Sequence, residues 1–122
     1  MYTTEWKIII AGSRTFTNQG LLLDKVAHRL LNKIQANITV VSGGAQGADK
    51  EGEKLAIARG WSILKMPADW DRYGKSAGYK RNEKMAVVAN ELIAFWDGNS
   101  RGTKHMIDIM MRARKPTHIF FF

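Results

Sequence analysis

The sequence has no cysteine and only two prolines, Pro67 and Pro116, in 122 residues. The first absence excludes disulfides and thiolate metal centres. The second leaves few points at which the chain is forced to break. No apolar run approaches the ~20 residues needed to cross a bilayer, and residues 1–7 are polar and carry Glu5 rather than a signal-peptide pattern. A cytoplasmic protein with no membrane partner is the expectation. Acidic residues are also scarce. Eleven Asp+Glu stand against 19 Lys+Arg, giving a formal net charge of +8 and a pI near 10.0. That balance attracts phosphates, whether on a polynucleotide or a mononucleotide, or it serves solubility alone. The three histidines, His28, His105 and His118, show no metal-ligand spacing. No metal site is expected, and no cofactor is required. The chain is 45% hydrophobic with 4 Trp and 5 Phe, enough for one folded domain over residues 1–122.

The most informative stretch is Ile38-Thr39-Val40-Val41-Ser42-Gly43-Gly44-Ala45-Gln46-Gly47-Ala48-Asp49. Strand-prone residues run into a glycine-rich turn, which opens into a helical segment over 50–59. Such a turn lets backbone approach a bound group, and the N–H groups of the helix's first turn favour an anion there. The same strand–turn–helix unit recurs along the chain. Strands are expected over 6–11, 38–41, 61–66, 91–96 and 117–122. Helices are expected between them: one built on Leu22, Val26 and Leu30, then 50–59, 80–90 and 104–114. Alternation of this kind predicts an α/β fold, a Rossmann-like doubly wound parallel sheet of about five strands flanked by four helices. With strand order 3-2-1-4-5, the turns after strands one and four lie side by side at the switch point, where ligands bind in such sheets.

Four polar or glycine-rich segments fall at that edge. They are Gly12-Ser13-Arg14, the Ser42–Asp49 turn, the segment around 67–82, and Asp97-Gly98-Asn99-Ser100-Arg101-Gly102-Thr103. Ser100 and Thr103 add hydroxyls, and Arg14 and Arg81 can each hold a phosphate bidentately. Asp49 and Asp97 either cap local turns or face a ligand. Glu51 and Glu53, two apart on one helix, point in different directions. Glu51 alone is a candidate general base, weighed against a solvated helix face. His105 is the one histidine with a candidate site role. Residues 67–79 read as a long loop. There Trp70, Tyr73 and Tyr79 sit among Arg72, Lys75, Lys80, Arg81 and Lys84, as a surface for bases and phosphates or as a basic loop whose Trp70 plugs the core. Phe120-Phe121-Phe122 reads as an edge strand under a helix, or else as a contact for a homo-oligomer.

Taken in order, Gly12-Ser13-Arg14, Ser42-Gly43-Gly44-Ala45-Gln46-Gly47-Ala48-Asp49, Arg81-Asn82 and Ser100-Arg101-Gly102-Thr103 resemble the SLOG superfamily. That superfamily includes the Lonely Guy phosphoribohydrolases and the DprA/Smf DNA-processing proteins. Compact length and the Trp96-Asp97…Ser100-Arg101-Gly102-Thr103 ending look most like its short, single-domain YspA/YpsA-related branch, frequent in bacteria and their phages. The resemblance implies a nucleotide or nucleotide-derived ligand held by Gly12, Ser13, Arg14, Ser42, Gly43, Gly44, Gln46, Gly47, Asp49, Arg81, Asn82, Asp97, Ser100, Gly102 and Thr103. Lonely Guy enzymes carry Pro-Gly-Gly-x-Gly-Thr-x-x-Glu. Here Ser42 stands for the proline, an extra residue separates Gly44 from Gly47, and Ala48 stands for the threonine. Glu51 falls at the catalytic glutamate once that insertion is allowed. The Ser-Gly-x-Ala-x-Gly-x-Asp spacing is nearer to the DNA-processing family, which binds single-stranded DNA. The first reading is therefore a binding module that senses or sequesters such a ligand. The alternatives are an N-glycosidic hydrolase using Glu51 and a single-stranded nucleic-acid binder.

Overall fold

The computed structural model describes residues 5–122; the polar lead-in expected over residues 1–4 lies outside them. Five strands form one sheet: β1 (Trp6–Gly12), β2 (Ile38–Ser42), β3 (Ser62–Lys65), β4 (Glu91–Trp96) and β5 (Thr117–Phe121). Their order is β3-β2-β1-β4-β5, with every pairing parallel. The central strands are apolar on both faces, as a sheet covered on both sides requires. Ile8, Ile9 and Ile10 are fully buried, and all five residues of β2 are buried.

Helices α1 (Gln19–Arg29) and α2 (Ala48–Arg59) cover one face. There Leu22, Val26, Leu55 and Ala56 pack with Ile8, Ile10, Val40 and Phe95. A single-turn helix, α3 (Trp70–Tyr73), follows β3. Helices α4 (Ala77–Val88) and α5 (Arg101–Arg112) cover the other face, where Met85, Met106 and Met110 pack with Ile9, Val41 and Leu92. Asn18 caps α1 by accepting the Leu21 N–H at 3.0 Å. Gly60, in the left-handed region at φ 73°, ends α2. At the far end of α4, Lys115 Nζ donates to the carbonyls of Ala86 at 2.6 Å and Ala89 at 2.7 Å.

Some boundaries differ from those expected. The loop predicted over 67–79 contains α3 and a 3₁₀ turn (Gly74–Ser76). Trp70 does not plug the core; it is 56% exposed. Both α4 and α5 begin three residues earlier than their apolar periodicity suggests. Gly102 and Thr103 therefore sit on a helix rather than in a turn, while Arg81 lies on α4, within the helix expected over 80–90. The first helix stops at Arg29, leaving Leu31 and Ile34 exposed. At the outer edge, β5 carries Phe121 against the Trp96 ring at 5.6 Å between centroids, with much of Phe121 exposed.

Candidate functional site

The sheet order makes β1 and β4 neighbours whose connections leave toward opposite faces, so a crevice opens beyond their carboxyl ends. A cleft of about 120 Å³ lies there. Arg14, Asp49, Arg81, Ser100, Gly102 and Thr103 line it together with Gly12 and Asn82, over a floor of Ala11, Met85 and Met106. Its volume is well below the ~300–1,000 Å³ of pockets that enclose a whole drug-sized ligand. A space of this size has room for a group such as a phosphate and not for a whole nucleotide.

Helix α4 ties the walls together. Arg81 Nη1 donates to the Gly43 carbonyl at 2.8 Å, and Arg81 Nε donates to Asn82 Oδ1 at 3.1 Å. Asn82 Nδ2 in turn donates to the Gly102 carbonyl at 3.2 Å. The turn after β2 and the first turn of α5 are thus joined through two adjacent side chains. The two bonds also fix the Asn82 amide orientation, so its Nδ2, 3.2 Å from His105 Nδ1, is a donor there. His105 Nδ1 accepts, and the ring carries its proton on Nε2. Burial lowers the His105 pKa below its ordinary value, with Glu83 and Asp108 pulling the other way.

The Ser42–Asp49 turn is held largely from within. Ser42 Oγ accepts the Gly44 N–H at 3.1 Å and donates to buried Glu53 Oε2 at 2.6 Å. Asp49 Oδ2 accepts the Ala45 N–H at 3.3 Å. Its glycines answer to the protein itself. A Cβ on Gly43 would lie 2.5 Å from Arg81 Nη1, and one on Gly47, which has φ +81°, would lie 2.3 Å from the Ser13 carbonyl. Close approach by a ligand, the reason expected from sequence, is not what these two positions require. Gly102 is the contrasting case. It lies in the first turn of α5, and a Cβ there would meet nothing within 4 Å.

The electrostatics of the cleft centre on Asp49 and Arg81. Burial pushes the Asp49 carboxyl up to about 6, against the Ala45 N–H and the Arg81 guanidinium, which favour its charged form. Burial also lowers the Arg81 pKa, with Asp49 opposing; a guanidinium stays charged regardless. Among the described residues no side chain caps α2 or α5, and the first turns of both open at this edge. The orphan N–H groups and the dipole make the N-terminal end of α5 favourable to an anion.

The remaining residues singled out from sequence take other places. Ser13 is buried and stitches the β1 and β4 turns: its N–H donates to the Phe95 carbonyl at 3.0 Å, and its Oγ accepts the Asp97 N–H at 3.1 Å. Asp97 Oδ1 accepts the Asn99 and Ser100 N–H groups, both at 2.8 Å; those bonds lower its pKa. Ser42, Gly43, Gly44, Gln46 and Gly47 form the turn behind the cleft wall rather than its lining. Glu51 lies in a separate groove between α1 and α2, with Gln19 and Leu23, and its carboxylate is 3.4 Å from Lys54 Nζ. The carboxylate that motif spacing passes over is Glu53. It shares a helix face with Asp49, four residues earlier, and that face is marked by the small residues Ala48, Gly52 and Ala56. Among the described residues, no group of three or more His, Cys, Asp or Glu is placed to hold a metal ion, and no helix is long and apolar enough to cross a membrane.

Comparison with known proteins agrees with this architecture. Residues 6–73 match the YAcAr family model, described as the YspA, cpYpsA-related SLOG family. The Gene 61 protein of Mycobacterium phage D29 is 32% identical over 116 residues, covering 90% of this chain and 92% of that protein. The X-ray structure of DNA processing protein A (DprA) from Streptococcus pneumoniae superposes with a TM-score of 0.69 at 16% identity. That match covers 94% of this chain and 50% of the DprA chain, so this chain spans half the length of that protein. At such identity the likeness is one of fold.

Proposed function

We propose that this chain, which belongs to the YspA, cpYpsA-related SLOG family, is a module that binds a nucleotide or nucleotide-derived molecule in the β1/β4 cleft. One observation carries the reading: two arginines from different elements and the uncapped first turn of α5 line one cleft at the switch point of the sheet. Arg14 and Arg81 would hold a phosphate by charge-assisted hydrogen bonds. The N–H groups beside Gly102 would complete the cradle, with the hydroxyls of Ser100 and Thr103 as further donors. The ribose and base would lie outside the small cleft. Binding of ribonucleoside 5′-monophosphates, followed by ligand-induced thermal stabilisation of wild type and Arg14→Ala, tests it. Stabilisation that is lost in the variant is expected; equal stabilisation of both proteins contradicts the assignment.

A second reading, a surface for single-stranded nucleic acid, draws on the net charge of +8 and the likeness of fold to DprA. It predicts affinity that falls steeply with salt, in proportion to the number of phosphates contacted. A shallow dependence favours the nucleotide reading.

A further inference from the structure

A second groove, of about 360 Å³, lies beside the first, between the end of β3 and α4. Lys65, Tyr73, Lys80, Arg81 and Lys84 line it, with Asp69 as the carboxylate among them. Asp69 is already engaged, since its Oδ1 accepts the Arg72 N–H and caps α3. Lys80 and Lys84 are four apart on α4, an arrangement of like charges that costs a helix a few tenths of a kcal/mol. Lys65 approaches from another element and is 3.8 Å from Glu53. Tyr73 positions part of the charge: Lys80 Nζ lies 5.0 Å from its ring centroid, and the Arg72 guanidinium lies 5.2 Å away. Cations thus converge on one groove from a strand end and a helix, which a solvated charged helix face does not require. Arg81 lines both this groove and the cleft.

Building on the cleft reading above, we infer that the ligand carries a second phosphate, held beyond Arg81 by Lys80 and Lys84. The class of ligand is then a nucleoside bearing two phosphates rather than a monophosphate. Arg81 sits between the two anions, and its bonds to Gly43 and Asn82 fix it there. The cleft is too small for such a molecule and the adjoining groove supplies the remaining space. The charge of Lys80 and Lys84, which no ion pair among the described residues neutralises, becomes the complement of the second phosphate.

Calorimetric titration of the ribonucleoside 5′-monophosphates, 5′-diphosphates and 3′,5′-bisphosphates against wild type and the Lys80→Met/Lys84→Met double variant tests this. A two-phosphate compound is expected to bind wild type about tenfold or more tightly than its monophosphate. The double variant should lose that advantage while holding the monophosphate as wild type does. Equal affinity for one and two phosphates overturns the second subsite and leaves the cleft reading standing. Absence of binding by every compound overturns both. A short single-stranded oligonucleotide that binds more tightly than any two-phosphate compound, with affinity growing with length, also overturns it, in favour of a polynucleotide track.

Discussion

Arg81 Nη1 sits 2.8 Å from the Gly43 carbonyl, and a methyl group on Gly43 would fall 2.5 Å from that same nitrogen. The turn after β2 and helix α4 are fitted to each other at this point, and the guanidinium is held at the mouth of the cleft by the fit. Gly43→Ala should therefore displace the flexible end of Arg81 and cost about 1.5–3 kcal/mol through the charged hydrogen bond that it breaks. In an Arg81→Ala background the same change should cost less. Denaturant unfolding of the single and double variants gives the coupling directly. A coupling energy below about 0.5 kcal/mol would show that the two residues are independent.

If the first turn of α5 is the anion site, Gly102 trades stability for binding. A helical glycine costs about 0.5–1 kcal/mol relative to alanine, and no neighbour within 4 Å demands its lack of a side chain. Gly102→Ala should stabilise the fold by about that amount and weaken nucleotide binding by crowding the cradle. If the variant binds as wild type does, the first turn of α5 is not the anion site.

Asp49 makes stability depend on pH. Its folded-state pKa of about 6 lies above the ordinary 3.8, so the fold favours the protonated carboxyl. That contribution is complete below about pH 4 and is lost as pH rises through about 6; the interval corresponds to about 3 kcal/mol. His105 works in the opposite direction. Its pKa is lowered, so its contribution is present above its ordinary 6.5 and is lost as pH falls. Unfolding of wild type and Asp49→Asn at a series of pH values separates the two. The stability of the variant relative to wild type should rise between about pH 4 and pH 7, and a constant difference contradicts the assignment.

Lys115 closes the other end of the same helix that carries Arg81. Its ammonium donates to the Ala86 and Ala89 carbonyls at the C-terminus of α4, where a cation also suits the helix dipole. Lys115→Met should destabilise the protein by about 1–3 kcal/mol while leaving nucleotide affinity unchanged, as thermal unfolding and titration would show.

Much of the architecture is legible from residues alone. The buried isoleucines of β1, the run of β2 and the glycine turns that follow them specify a parallel sheet and the edge at which a ligand would lie. The starts of α4 and α5 are not legible from propensity. Gly78 and Gly102 look like breakers, but α4 begins where Ala77 is buried, and α5 begins where the Asp97 carboxylate gathers the Asn99 and Ser100 N–H groups. Motif spacing singles out Glu51, whereas tertiary packing buries Glu53, because the face of α2 turned to the sheet is set by Ala48, Gly52 and Ala56. The Ser42–Asp49 turn keeps its place in the site for a different reason than its glycines suggest. Gly43 makes room for Arg81 and Gly47 for the turn after β1, and through Arg81 and Arg14 they shape the cleft.

The most direct test of the cleft as a phosphate site is a titration of ribonucleoside 5′-monophosphates into wild type and Arg14→Ala. Arg14 is exposed, so its removal should leave the unfolding of the free protein within about 0.5 kcal/mol of wild type. Loss of a charge-assisted hydrogen bond of ~1.5–3 kcal/mol predicts affinity weaker by about tenfold or more. Measurable binding by wild type with that loss in the variant is the predicted result. Binding of equal affinity by both proteins, or none by a folded wild type, contradicts it.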